Sequence, residues 1–425
     1  MRLLLTAYLP LALTSLLLGA LLTLQSFEHR RFTRSRLHRA DGRRFTGRTV
    51  VFIPCKGLDL ELEQNLRPLL TQQFPNYEVR FLLEHAEDPA RPVIERLLAE
   101  HPGRGRILIA GRAEDCGQKV HNLRAGTAEL PADVEALAFA DSDARPGPHW
   151  LASLTAELAA TKFGAVSGYR WMIPLRATPA NLLLSRMNNA LTPLFSCRAV
   201  QLLWGGTWSV RREHFEAAEV REAWQGTLSD DLVACRTLAG RGVKIDFEPR
   251  CVVASPIDYT WSGACEFISR QLIITRVYAP RWWALGGAGM LVNVLAFWFG
   301  LALLLASALG AIEFSWLPAV LWGATTGLTL LRGWWWQDAG RASLRDSGLR
   351  QSLPARFLEL SLAPFGDLLG SACLLHSAFR RTITWRGITY RLYPGGRCEI
   401  VTPRSESVFV SVNSQVEARR NDRAA

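Results

Sequence analysis

The chain has 425 residues, of which 49% are hydrophobic and 20% charged, and a formal net charge of +11. That length suits one domain of about 200–250 residues plus membrane segments. The basic balance leaves nucleic acid, a membrane surface or an anionic substrate as partners. With no zinc-finger spacing and no basic helix interleaved with aromatics, nucleic acid is set aside. The eight cysteines form no CxxC pair and most sit in apolar surroundings, which fits a reducing compartment and no disulfide framework.

In chain order, residues 3–27 come first, an uncharged apolar run of about 25 residues. It is long enough to cross a hydrocarbon core of about 30 Å and longer than the apolar region of a signal peptide. The dense arginines after it, between Arg30 and Arg48, read as headgroup contacts on the cytoplasmic side. Residues 28–47 are therefore expected as a basic juxtamembrane linker.

Residues 48–260 read as a soluble α/β domain. Apolar strands are expected at 48–54, 77–83, 106–110 and 136–140. Helices are expected between them at 60–72, 92–100 and 119–128. That alternation predicts a doubly wound, mostly parallel sheet, with ligands beyond the carboxyl ends of its strands. Four motifs fall at such ends or beside the membrane. Asp88 follows the second strand, where it could meet a nucleoside or simply cap a helix. Lys119 opens a helix and could pair with phosphate, or lie on the surface. Asp141 and Asp143 follow the fourth strand as Asp-Ser-Asp, a pair able to hold a divalent cation, although an Asx turn has the same composition. Asp231 opens a helix at 232–239. It could be a general base or an acidic residue of the first turn. No Gly-rich phosphate loop accompanies them.

Residues 261–283 form an amphipathic stretch in which Arg270 or Arg276 could reach a diphosphate or lie among headgroups. A membrane hairpin is expected next, with arms at 284–311 and 314–331. Residues 357–379 are apolar but include Glu359, Pro364 and Asp367, so they read as re-entrant or interfacial, with a fourth span as the alternative. The basic segment after them favours a C-terminus on the same side as the domain, and 417–425 reads as a polar tail.

Taken in order, these motifs resemble those of the ceramide glucosyltransferase family, glycosyltransferase family 21, over nearly the whole chain. The resemblance rests on Pro54-Cys55-Lys56-Gly57, Pro75-Asn76-Tyr77-Glu78-Val79 and Glu87-Asp88-Pro89-Ala90. It continues through Lys119 with Asn122-Leu123, Asp141-Ser142, Gly205-Gly206-Thr207 and Asp230-Asp231. It ends on residues 382–387, Tyr390-Arg391-Leu392 and Gly395-Gly396. It implies a GT-A fold, a UDP-sugar donor, Mg or Mn, and a lipid acceptor such as ceramide. By the same resemblance, Asp88 lies near the nucleoside and Asp141 near diphosphate and metal, with Asp143 completing the pair. Lys119 and Arg270 belong to the donor site, and Asp231 is the base of an inverting transfer. Where the family carries an Arg-Trp pair after a Gln or Arg, this chain keeps Arg270 but has Ile273 and Ile274. An integral membrane enzyme of a bacterial inner membrane, its catalytic domain cytoplasmic, is the resulting expectation. A hopanoid-like acceptor, a processive polysaccharide synthase and an inactive scaffold are the alternatives.

Overall fold

The computed structural model describes residues 2–39, 44–159, 162–197, 200–313 and 315–401. Helix α1 (Arg2–His38) runs straight from the apolar N-terminus onto the globular domain. The first part of that domain follows as β1 (Arg48–Pro54), α2 (Leu62–Leu70), β2 (Tyr77–Leu83), α3 (Arg91–Glu100), β3 (Gly105–Ile109), α4 (Gln118–Gly126), β4 (Val134–Ala140) and α5 (Trp150–Ala156). Next come β5 (Ala165–Pro174), α6 (Pro179–Asn189), α7 (Thr192–Phe195), β6 (Thr207–Arg211), α8 (Arg212–Ala217), α9 (Val220–Ala223), α10 (Asp230–Gly240) and β7 (Ile245–Ile257). Helices α11 (Trp261–Tyr278), α12 (Pro280–Ala308), α13 (Trp316–Ser343), α14 (Leu353–Ser361) and α15 (Ala363–Phe379) lead to a last set of strands, β8 (Thr382–Trp385), β9 (Ile388–Leu392) and β10 (Cys398–Ile400).

Seven strands make one sheet in the order β3-β2-β1-β4-β6-β5-β7. Only β6 runs antiparallel to its neighbours, so this is the mostly parallel α/β sheet expected. The reason is local. β1 and β4 are continuous apolar runs buried on both faces, as strands covered by helices on each side must be. Phe139 of β4 stacks on Trp208 of β6 at 4.1 Å on one face, and Val51, Ile53 and Phe81 pack with Trp150 on the other.

Among the described residues, two helices are long and apolar enough to cross a membrane, Leu3–His38 and Pro280–Ala308. Helix α13, expected as the second hairpin arm, is not one of them. Thr325, Thr326, Thr329 and Arg332 dilute its apolar run, yet it packs along α1, where the Thr23 hydroxyl donates to Leu328 O at 3.3 Å. Phe314 lies outside the described residues. Helices α14 and α15 are bent by 58° about Leu362, the shape of a broken span or a re-entrant loop. The charge that makes this stretch unusual faces protein. Glu359 is fully buried and accepts from Ser185 Oγ (2.7 Å) and Gln337 Nε2 (2.8 Å).

Two expectations are corrected here. The arginines after the anchor are not left to headgroups. Arg30 and Arg34 pair with Asp338 at 2.6 and 2.7 Å, Arg36 pairs with Glu157 and Glu248, and Arg48 pairs with Glu78 and Asp133. The linker is helical as far as His38 because these pairs fix it to the domain. The second correction concerns the C-terminus. Within residues 334–425, expected as an interfacial or re-entrant segment followed by a cytoplasmic C-terminal tail, residues 382–400 form the antiparallel sheet β10-β9-β8. Its Ile383, Ile388, Tyr390, Leu392 and Cys398 belong to the same apolar core as Phe139 and Trp208. The polar tail at 417–425 lies outside the described residues.

Candidate active site at the carboxyl ends of the strands

The antiparallel return of β6 builds the site. Its pairing with β4 sets Ala140 opposite Thr207, which carries the Gly205-Gly206 backbone to the end of β4. There Asp141 N donates to Gly206 O at 3.3 Å. A Cβ on Gly206 would stand 2.7 Å from Asp141 Oδ2, and one on Gly205 would stand 2.5 Å from Asp230 Oδ2. Neither position has room for a side chain, so the backbone can approach the carboxylates only as glycine.

Lys119 occupies the middle of this crevice. It projects from the first turn of α4 and its Nζ pairs with Asp141 Oδ1 (2.8 Å) and Asp230 Oδ1 (3.0 Å). It is therefore no surface lysine. Burial disfavours its charge, but the Asp141, Asp230 and Asp231 carboxylates outweigh that cost and raise its pKa. Asp230 is buried, and one of its oxygens, Oδ2, has no hydrogen-bond partner. Burial pushes its carboxyl up to about 7, against the pull of Lys119 and with the push of Asp231 and Asp141.

Asp231 is held at the start of α10. Its Oδ1 accepts from Ser229 Oγ (2.6 Å) and Leu232 N (2.7 Å), and its Oδ2 accepts from Gly205 N (3.1 Å). Three donors fix one orientation without neutralising the charge.

Asp143 has Arg170 beside it and Asp141 as an electrostatic neighbour. Its Oδ2 lies 3.3 Å from Arg170 Nη1, and its Oδ1 is buried with no partner. Enclosure by protein raises its carboxyl to about 6, opposed by Arg170 and reinforced by Asp141. Between the two, Ser142 donates to Asp59 Oδ2 at 2.6 Å. As a divalent-ion pair, Asp141 and Asp143 offer hard carboxylate oxygens, one of them an orphan, so the donor set fits Mg or Mn. Among the described residues no group of three or more His, Cys, Asp or Glu forms a metal cluster. Remaining ligands would have to come from phosphate and water, as is usual for Mg.

Asp88 sits in the turn after β2. Its Oδ1 accepts from Gly57 N and Ala90 N, both at 2.9 Å, tying the ends of β1 and β2 together. Its Oδ2 is buried and unpartnered. Arg270 of α11 makes no hydrogen bond or ion pair with described residues; it lies over the rings of Phe267 (5.1 Å) and Trp385 (5.6 Å). Burial lowers its pKa to about 10. Arg276 is excluded from the site: its guanidinium donates to Ala378 O and Arg380 O at the end of α15.

The sequence reading overlooked Asp59, Arg170 and Arg386. Arg386 pairs with Asp59 and has Asp143 and Tyr259 as electrostatic neighbours. Arg170 stacks on Trp204 and Phe267. Asp59 and Arg170 lie in no motif that marks a site, and Arg386 stood only within the family-like segment 382–387, with no role attached to it.

Comparison with known proteins bears on the whole chain. The family model described as glycosyl transferase family 21 matches residues 12–398, from α1 to β10. Ceramide glucosyltransferase 1 of Caenorhabditis elegans is 34% identical over 74 residues, which is 17% of this chain and 16% of that protein. Among solved structures, a mannosyltransferase from Pyrobaculum calidifontis, in complex with GDP-Man and Mn2+, is 18% identical, with a TM-score of 0.44, covering 87% of this chain and 97% of the other. Glucosyl-3-phosphoglycerate synthase from Mycobacterium tuberculosis is 15% identical, with a TM-score of 0.32, covering 53% and 79%.

Proposed function

We infer the reaction from one premise: the chain belongs to glycosyl transferase family 21 and is a glycosyltransferase. The reading is that it moves a sugar, glucose first among candidates, from a UDP-sugar to a lipid hydroxyl such as that of ceramide, with inversion. The supporting observation is one crevice in which Lys119, Asp141, Asp230 and Asp231 meet the Gly205-Gly206 backbone, in a domain attached directly to apolar helices. Ceramide is the first acceptor to test because the short matched segment lies in a ceramide glucosyltransferase.

In this mechanism Asp231 takes the proton of the lipid hydroxyl. The freed oxygen forms a bond to the anomeric carbon as the bond from that carbon to the diphosphate breaks, and UDP leaves. Ser229, Leu232 N and Gly205 N hold Asp231 in one orientation, so no reorganisation is needed when charge moves. Lys119 places a fixed positive charge between Asp141 and Asp230, beside the leaving group. Asp88 offers its free oxygen to the nucleoside, and Arg270 its unpaired guanidinium to the phosphates. Mg or Mn, held by Asp141 and Asp143, would neutralise the leaving diphosphate. Helices α1 and α12 keep the domain at the bilayer, on its cytoplasmic side, where the acceptor hydroxyl is presented locally.

The test is UDP release by the purified full chain in nanodiscs, with a panel of UDP-sugars, with and without ceramide, in Mg or Mn. Ceramide-stimulated release that disappears in Asp231→Asn is expected. Folded protein that binds UDP yet releases none with any sugar or lipid would overturn the reading.

A further inference from the structure

The β8–β9 hairpin reaches the site through a two-residue turn, Arg386-Gly387, with φ of 51° and 76°. Both residues at positive φ make the hairpin turn that favours Asn-Gly, and Arg at its first position is strained. Such strain persists where a side chain is needed at that point. Here the side chain turns back onto Asp59, the residue that also receives the Ser142 hydroxyl between Asp141 and Asp143. Arg386 still keeps 39% of its side-chain surface, so its guanidinium can meet a ligand, whereas Asp59 keeps only 7%.

Its neighbours share one construction. Guanidiniums and rings alternate from Trp204 to Arg170 (5.4 Å), Phe267 (5.1 Å), Arg270 (5.1 Å) and Trp385 (5.6 Å). Stacking on ring faces fixes each guanidinium without using its N–H donors. Arg270 has no polar partner among the described residues, and Arg170 Nε is buried without one. Three arginines face two carboxylates, Asp59 and Asp143, which leaves unmatched positive charge and unused donors beside the Asp141–Asp143 pair.

We propose that Trp385 and Arg386, at the tip of the C-terminal hairpin, complete an anion-binding wall with Arg170 and Arg270 that takes the diphosphate of the donor. This rests on the nucleotide-sugar reading above. The C-terminal segment, which reaches the catalytic core only after the membrane helices, then supplies donor-site residues rather than a tail. Arg386 exchanges its bond with Asp59 for phosphate oxygens, and Trp385 holds Arg270 flat for the same anion.

The experiment compares UDP with uridine binding by calorimetry on the full chain in detergent, in Mg buffer. Arg386→Asn suits the turn but leaves Asp59 with only the Ser142 hydroxyl, so its melting temperature is measured first to establish that the variant is folded at the assay temperature. Its uridine affinity should stay at the wild-type value, and its UDP affinity should fall about tenfold or more, the scale of a charged hydrogen-bond pair. A UDP-over-uridine preference retained within about twofold would overturn the inference alone. A wild type that binds UDP no better than uridine would overturn it together with the donor reading. Arg386→Lys is the second variant: it keeps charge but loses the planar fork, and an undiminished preference there would also refute the proposal.

Discussion

The two sides of the crevice are built in opposite ways. On one side Asp141, Asp230 and Asp231 share a single cation, Lys119. On the other, Arg170 pairs with Asp143 and Arg386 with Asp59, while Arg270 lies against ring faces without a polar partner among the described residues. The acidic side is hydrogen-bonded to backbone and comes from short motifs at strand and helix ends. The basic side is held by stacking on rings and is gathered from β5, α11 and the C-terminal hairpin. Under the proposed reaction, with a hydroxyl acceptor at one end of the donor and a diphosphate at the other, this asymmetry sets a proton acceptor opposite an anion holder.

The comparison predicts that the acidic side governs turnover and the basic side donor affinity. Asp231→Asn is the strongest test. Turnover should fall about 10²–10⁴-fold, the usual range for a general base, with UDP affinity nearly unchanged. Asp230→Asn, at a group bonded to Lys119 and not proposed as the base, should retain more activity in the same UDP-release assay. If the order is reversed, Asp230, with its carboxyl near pH 7, is the base.

Lys119→Met removes the cation that Asp141 and Asp230 share and leaves the two carboxylates without it. Thermal unfolding in detergent should show a loss of about 3–5 kcal/mol, as for breaking a buried pair. The folded carboxyl of Asp230 lies near 7, above its unfolded value, so the fold binds its proton more tightly than the unfolded chain does. Stability of the variant should therefore rise as pH falls from 8 to 6, and a flat profile would show that Asp230 is not the strained partner.

Asp143 lies between the two sides, with its carboxyl near 6. Above that pH it is ionised and able to hold a cation; below it the proton competes. Apparent Mn affinity, read from the metal dependence of UDP release, should weaken about tenfold per pH unit below 6, and Asp143→Asn should be weak throughout with no such limb. The smallest effect belongs to Trp385→Leu. Losing one ring from Arg270 should raise the donor KM about two- to fivefold, the scale of an exposed cation–π contact, and leave turnover unchanged. An equal fall in turnover would place Trp385 on the acceptor side instead.

Residues 3–27 and 284–311 were legible as apolar segments, found as the helices Leu3–His38 and Pro280–Ala308, because crossing hydrocarbon demands length and composition, both local properties. Strands β1 to β4 were legible because buried parallel strands are continuous apolar runs ending where ligand-facing residues begin. Asp88, Asp141 and Asp143 follow strand ends while Lys119 and Asp231 open helices, and it was the ordered resemblance to family 21, not position alone, that singled them out. The sequence could not say that Lys119 is enclosed by two carboxylates, since Asp141 and Asp230 lie 89 residues apart and meet only when β6 returns antiparallel beside β4. Nor could it say that Arg36 and Arg386 leave the membrane flanks for protein carboxylates, because an arginine beside an apolar run looks the same whether it faces a phosphate headgroup or an aspartate. Local patterns fixed which segments fold and which are long and apolar enough to cross a membrane. Charge pairing over long sequence distances was decided by the tertiary structure, because packing alone determines which opposite charge each buried group can reach.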